Sequence, residues 1–426
     1  LRYILYQLNR GELTTPDLCK NLEYVALALE SSYAEGCKLI QNEEEVAQFE
    51  NTDVPEEVRE WLALTFTQQA SQQPQKHSFK SVVNAIRTGI RLDRIKKRMS
   101  SYTADLVPPE VAELLKDLDS WEFDVFRLND VSNNNALRFI GLELFFRYNF
   151  FGKFKIPMCK MEAFLNALQV GYSKHDNPYH NLVHGADVTQ TANWMLCKTG
   201  TMECLSDLEL FAYLFSAMIH DYEHTGHTNN FHVQSNSDYA MLYNDRSVLE
   251  NHHISSIFRM MRADKQLNIL SNLTNEEYRE FRNLVIEIVL STDMSTHFTQ
   301  VKNLKTMLES AEGVDKVKAL CFIIHCCDIS HPSKPWYIHL RWTKQLLEEF
   351  FRQGDQEAAL GLPCSPLCDR HTVQMAKSQI GFIDFIVEPT MIICGEMLNK
   401  LLEPLLSVLR EKSTPHFNHD VVSDNR

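Results

Sequence analysis

The run LELFAYLFSAMI (Leu208–Ile219), followed at once by HDYEHTGHTNN (His220–Asn230), decides how the rest of the chain is read. Its first part repeats apolar residues at helical spacing and predicts a buried helix. Its second part gathers three histidines, an aspartate and a glutamate into eleven residues. His220 and Asp221 therefore emerge at the end of a buried element, where a carboxylate is costly unless its charge is compensated, and a divalent cation does so directly. A helix-terminal polar turn is the bland alternative. Packing alone gives no reason for so many ligand-type side chains together.

Helical spacing recurs outward from this stretch, over 18–33, 54–66, 112–118, 136–148, 281–290, 317–327, 343–351 and 382–388, while alternating strand-like runs are almost absent. The expected fold class is all-α. A Gln-rich stretch with Pro74, near 68–75, reads as a linker, and Val107-Pro108-Pro109 starts a new unit. The predicted organisation is a regulatory segment over 1–105, a main domain over 106–402 and a polar tail over 403–426. At 426 residues the chain is long enough for two or three structural units.

Composition narrows the function classes. A net charge of −14 argues against a nucleic-acid polymer as partner, although 76–99 carries eight basic residues against one acid. The longest apolar run is about half of the roughly 20 residues that a membrane span needs, and no cleavable signal sequence opens the chain. Starting on Leu1 rather than Met, the chain reads as a fragment. The eleven cysteines include no Cys-x-x-Cys pair and are expected to be reduced thiols of a cytoplasmic protein.

Two further segments join the first. In Tyr179-His180-Asn181-Leu182-Val183-His184 the histidines at i and i+4 are expected on one helix face; alone they could equally be surface or core histidines. In His325-Cys326-Cys327-Asp328-Ile329-Ser330-His331-Pro332 the carboxylate of Asp328 ends another apolar helix and needs a partner, with an N-cap role as the alternative. Together, His184, His220, Asp221 and Asp328 form a nitrogen-and-carboxylate donor set without thiolates, which suits zinc. A second, harder ion sharing Asp221 and otherwise held by water would suit magnesium or manganese. Two such metals can hold a bridging hydroxide and polarise a phosphoryl group for in-line attack.

The order Tyr-His-Asn-x-x-His, then His-Asp-x-x-His-x-Gly-x-x-Asn, then Asp328 and Ser378-Gln379-x-Gly-Phe382, resembles the class I 3',5'-cyclic nucleotide phosphodiesterases, and within them the calmodulin-dependent subfamily. YNDRSVLENHH (243–253), TDMS (292–295), 342–355 and SQIGFIDFIVEPT (378–390) carry the same resemblance. It implies a compact multi-helix catalytic domain of the His-Asp phosphohydrolase type that cleaves the 3' phosphoester of cAMP, cGMP or both to give 5'-nucleoside monophosphates. It assigns zinc to His184, His220, Asp221 and Asp328, and magnesium or manganese to a second site sharing Asp221. It makes His180 the general acid for the departing 3' oxygen, with Glu250 as the carboxylate that keeps it charged. His224 and Asp293 then belong to the water shell of the second metal. Gln379 meets the purine edge, Phe382 stacks on the base, Leu346 faces it across the cleft, and Tyr179 and His331 lie with the substrate. For Gln379, Phe382 and Leu346, the residues alone say only helix packing. Gly185 stands where the family usually has Ala, His227 replaces a small hydroxyl residue, and the cysteine-rich 321–327 is unusual.

The basic amphipathic stretch 76–99 reads by pattern as membrane-surface, calmodulin-binding or solvated. The resemblance makes it, with Leu1–Arg10, a calcium-calmodulin contact that restrains and releases the catalytic domain, and it leaves room for a homodimer. Two other readings stand beside this one. They are a His-Asp phosphohydrolase of another nucleotide and a calmodulin-binding scaffold with a weakly active domain.

Overall fold

The computed structural model describes residues 107–310 and 314–413, all helix, turn and loop, with no strand among them. The all-α expectation holds over this range. Ten of the helices among these residues frame the site: α1 (Ala136–Arg147), α2 (Met158–Tyr172), α3 (Leu182–Thr199), α4 (Asp207–Ile219), α5 (Val248–Ala263), α6 (Asn275–Leu290), α7 (Lys316–Asp328), α8 (Trp336–Leu360), α9 (Met375–Phe382) and α10 (Glu388–Ser413). The expected regulatory segment 1–105, with its linker and its basic stretch 76–99, lies outside the described residues, as does the end of the tail.

Helix α4 is the hub. Every residue from Leu210 to Ile219 is buried, and α4 packs against α3 and α6. Its start is fixed by a capping box in which the Ser206 hydroxyl accepts from Glu209 N–H while the Glu209 carboxylate accepts from Ser206 N–H. The same carboxylate binds Lys316 Nζ at 2.8 Å, at the first turn of α7. Helices α4 and α7, 13 residues each, are thus tied together where they start. Helix α7 ends at Asp328, and Asp221 lies two residues past the end of α4.

Phe211 anchors the core beside this pair. Its ring lies within 4.7–5.4 Å of Phe145, Phe150, Phe154 and Phe281. These rings come from α1, the short turn after it, α4 and α6, so a single residue type binds four elements, and each buried aromatic contributes roughly 1.5–3 kcal/mol.

Three elements differ from the sequence-based expectation. Helix α8 runs over 25 residues, well beyond 343–351, because its ends are amphipathic rather than apolar. The stretch expected as a helix over 382–388 is a π-helical segment, Ile383–Val387, between α9 and α10. Helix α10 continues to Ser413, past the expected boundary at 402, since leucines recur at helical spacing through Leu401, Leu405 and Leu409. No helix among the described residues is long and apolar enough to cross a membrane. Cys321, Cys326, Cys327 and Cys394 are free thiols buried in the core, as the sequence led one to expect.

Phe211→Ala should lower the unfolding free energy by about 3–5 kcal/mol, read as the shift in a denaturant titration of the intact chain.

Candidate active site

The four expected ligands converge although they come from three helices. His184 sits in the first turn of α3, His220 and Asp221 follow α4, and Asp328 ends α7. His184 Nε2 lies 3.1 Å from Asp328 Oδ1, 3.2 Å from Asp221 Oδ2 and 3.2 Å from His220 Nε2. His220 Nε2 is 3.1 Å from Asp221 Oδ2 and 3.4 Å from Asp328 Oδ1. Donor atoms bound tetrahedrally at about 2.0–2.1 Å from one centre lie about 3.3–3.4 Å apart, so this donor set fits a single divalent cation. His220 Nδ1 lies 2.9 Å from the Ala217 carbonyl. A carbonyl only accepts, so Nδ1 carries the proton and Nε2 offers its lone pair to the centre. Burial opposes charge on Asp221, and the neighbouring imidazoles outweigh it, holding the carboxyl well below its ordinary range.

His180 reaches the same site from outside the helix. The histidines at 180 and 184 do not share a helical face, as their spacing had suggested, because Asn181 caps α3 by accepting from Val183 N–H. His180 belongs to the loop before it. Its partner is also not the one expected. Nδ1 pairs with Glu349 Oε1 on α8, and Glu349 Oε2 accepts from the backbone N–H of Tyr179 and His180 at 2.9 and 3.0 Å. Burial works against the imidazolium, but the Glu349 carboxylate outweighs it and lifts the His180 pKa to about 9. Glu250 instead accepts from the Asn229 amide at 3.0 Å. Burial, then nearby Asp293, pushes its pKa well above the usual carboxylate range.

His224 stacks on His180 with ring centroids 3.8 Å apart. Burial and the charge on His180 hold it well below the ordinary histidine pKa. Its Nδ1 accepts from Gly226 N–H at 3.0 Å, which leaves Nε2–H as its donor. Asp293 accepts from Ser247 Oγ at 2.7 Å and from Ser295 N–H at 2.9 Å, so it caps a turn while lining the cleft.

Gln379, Phe382, Leu346 and His331 line the same cavity as Tyr179, His180, Asp221, Asp293 and Asp328. Thr343 Oγ1 donates to Gln379 Oε1 at 3.2 Å. His331 is buried against His339, their Nδ1 atoms 3.0 Å apart; burial and that neighbour keep it neutral. His227 lies outside the ligand set, bonded to Gln356 at 2.6 Å and stacked on Phe231.

Three residues matter here that the sequence reading did not single out. Glu349 is the first. Asn177 Nδ2 donates to the carbonyls of His180 at 2.9 Å and His224 at 2.6 Å, pinning the two stacked rings from behind. Tyr172 Oη donates to Met218 O at 3.1 Å and accepts from Asp221 N–H at 3.3 Å, bracing the end of α4. For Glu349 a signal was available: it shares a helical stripe with Trp342, Leu346 and Gln353, where a carboxylate is out of place.

Tyr172 also accounts for Gly185. A Cβ there would lie 2.9 Å from Tyr172 Cζ and 3.0 Å from its hydroxyl, so the glycine gives that brace its seat.

The model of the 3'5'-cyclic nucleotide phosphodiesterase family matches residues 179–409. The chain belongs to this family. The model of the family's N-terminal region matches residues 38–94. The chain is 60% identical over 410 residues to the "Probable 3',5'-cyclic phosphodiesterase pde-1" of Caenorhabditis elegans, covering 96% of this chain and 61% of that protein. It is 54% identical over 411 residues to the human "Dual specificity calcium/calmodulin-dependent 3',5'-cyclic nucleotide phosphodiesterase 1C", covering 95% and 58%. To the human 1B form it is 51% identical over 423 residues, covering 98% and 79%. The chain thus spans about three-fifths of the first two relatives. Among solved structures, the phosphodiesterase domain of the RhoPDE fusion protein from the choanoflagellate Salpingoeca rosetta aligns with a TM-score of 0.61 at 31% identity, covering 69% of this chain and 92% of that one.

Gly185→Ala should destabilise the chain by about 1–3 kcal/mol through overpacking, despite a gain of up to about 1 kcal/mol in helix propensity. A denaturant midpoint lower than that of the parent chain is the expected reading.

Proposed function

We propose that this chain hydrolyses the 3' phosphoester of both cAMP and cGMP to the 5'-monophosphates, and that calcium-calmodulin stimulates it through 1–10 and 76–99. The observation that carries the hydrolytic reading is one cleft lined by carboxylates of a divalent-cation donor set, by His180 paired with Glu349, and by an amide and an aromatic ring, Gln379 and Phe382. The calmodulin reading rests on the names of the relatives and on the basic stretch, and makes 1–105 regulatory and 106–402 catalytic. A cytoplasmic location goes with it.

His184, His220, Asp221 and Asp328 would hold zinc, and Asp221 would be shared with magnesium or manganese. The metals, when bound, supply Lewis-acid polarisation of the phosphoryl group. With Nδ1 engaged by Glu349, His180 presents Nε2–H to the cleft and protonates the 3' oxygen as the P–O bond breaks, a contribution of roughly 10²–10⁴-fold. His224, neutral and donating through Nε2–H, orients water at the phosphate, and Asp293 supports it. Phe382 stacks on the purine, with Leu346 opposite and Tyr179 and His331 closing the pocket. The Gln379 amide keeps an NH₂ and a spare lone pair for the purine edge. It serves adenine or guanine according to its orientation.

One assay tests this reading: turnover of each nucleotide by the parent chain, after chelation, in His184→Ala, and with or without calcium-calmodulin. Chelation and His184→Ala should each reduce the rate by more than roughly 100-fold, and calmodulin should raise it. Activity surviving metal loss would sink the mechanism, and indifference to calmodulin the regulatory half.

The pH profile follows from His180. The acid form is present at neutral pH and is lost as pH rises through about 9, so kcat/KM should fall on that alkaline limb. Glu349→Gln removes the group that outweighs burial, so the limb should move to lower pH.

A further inference from the structure

Between α8 and α9 the chain crosses 14 residues, 361–374, without a helix or strand. Loops of that length in a compact domain are uncommon and are usually functional. This one supplies Ser365, Pro366, Leu367 and Cys368 to the lining of the catalytic cleft. A cleft wall made of loop must be held, and the means of holding it lie one layer behind, on α8.

Glu357 and Gln353 stand one turn apart on α8, 2% and 1% exposed. Both carboxyl oxygens of Glu357 are used. Oε2 accepts from Ser365 N–H at 2.7 Å, and Oε1 accepts from Ser365 Oγ at 2.5 Å and from Gln353 Nε2 at 2.9 Å. Gln353 continues the chain of bonds to Thr228, elsewhere in the cleft lining. Its Oε1 accepts from Thr228 N–H at 2.9 Å, and its Nε2 reaches Thr228 Oγ1 at 3.3 Å. Thr228 caps the short helix Asn229–Gln234 and lines the cleft beside His224 and Asn229. Ser365, Glu357, Gln353 and Thr228 therefore form a hydrogen-bonded chain, buried at Glu357 and Gln353, that joins two parts of the cleft lining through α8.

Two observations show that the loop is held tightly at this place. Leu367 has φ 64°, a left-handed conformation that costs a branched side chain about 1–3 kcal/mol and persists only where the surroundings enforce it. At Gly354 the loop backbone lies directly on α8, where an added Cβ would come within 2.1 Å of the Cys368 carbonyl oxygen.

The geometry points to Glu357 as a positioning residue for nucleotide affinity, setting the loop wall of the cleft through Ser365 and, through Gln353, its spacing from the Thr228 wall. Glu357 is not among the residues that line the cleft, and its carboxylate bonds to Ser365 and Gln353. It acts on ground state and transition state alike, so its loss changes KM and leaves kcat in place. This inference rests on the cyclic nucleotide reading for its kinetic part only.

The test compares Glu357→Ala, Glu357→Gln and the milder Ser365→Ala with the parent chain, by steady-state kinetics on both nucleotides, bound-metal content, and amide hydrogen exchange over 361–368. Removing Glu357 takes the acceptor from two part-buried donors, the N–H and Oγ of Ser365, while Gln353 Nε2 keeps Thr228 Oγ1. Glu357→Ala should raise KM roughly tenfold for both nucleotides with kcat within about twofold, speed exchange over 361–368, and keep the parent metal content. Glu357→Gln, retaining one acceptor oxygen, should recover part of the KM change. Ser365→Ala should move KM in the same direction by less, which keeps the test decisive should Glu357→Ala not fold. Unchanged exchange over 361–368 in both Glu357→Ala and Ser365→Ala overturns the inference, as does a fall in kcat with KM unmoved. A parent chain that hydrolyses neither nucleotide would overturn the functional reading instead, and the exchange measurement, which needs no substrate, would still decide the role of Glu357.

Discussion

Two carboxylates placed at the C-terminal ends of buried helices set the terms for this molecule. Asp221 follows α4 and Asp328 ends α7, each where the helix dipole is already negative and disfavours a further negative charge. Burial compounds the penalty. Such a position holds only if the charge is met at close range, and the ring nitrogens of His184 and His220 lie within 3.1–3.4 Å of the two carboxylates. The donor set leaves a centre that a divalent cation fits. The rest of the core keeps those two helix ends in register, from the Glu209–Lys316 tie at their starts to the aromatic cluster around Phe211 and the Tyr172 hydroxyl bracing Asp221.

A second charge problem is solved beside the first. His180 must be cationic in a buried setting next to another imidazole, and the stack with His224 would be repulsive if both carried charge. Glu349 resolves this by selecting His180 for the proton, and the backbone N–H of Gly226 reinforces the choice by occupying His224 Nδ1. Two adjacent histidines thereby acquire opposite protonation states from their neighbours alone.

Much of this could be read from the sequence, for a definite reason. An apolar helix that ends in His-Asp, or in a lone Asp, breaks its own hydrophobic pattern, and that break marks Asp221 and Asp328 without any tertiary knowledge. Long-range pairing leaves no such mark. Nothing local distinguishes Glu349 from Glu250 as the partner of His180, since 169 residues separate His180 from Glu349 while Glu250 sits in a histidine-rich segment. The same limit explains the misplaced helical face at 180 and 184, where the Asn181 cap starts the helix later than the periodicity suggests. It also explains the underread length of α8, whose buried Gln353 and Glu357 look like solvent-facing positions until their partners are known.

The π-helical segment Ile383–Val387 has a consequence for insertions and deletions. An α-helix turns about 100° per residue, from 3.6 residues per turn, and a π segment accommodates one residue more than the α-helical phase allows. Helix α9, with Gln379 and Phe382, lies upstream of this phase slip, and the core-facing Ile386, Val387 and Thr390 lie in or after it. Losing a single residue between 383 and 387 would let the helix run on unbroken while rotating α9 by about a quarter turn. Such a chain would keep its core and the cluster of His184, His220, Asp221 and Asp328 while turning Gln379 and Phe382 away from the cavity they line. The reading frame of the helix, as much as the identity of its residues, aims the amide at the cleft.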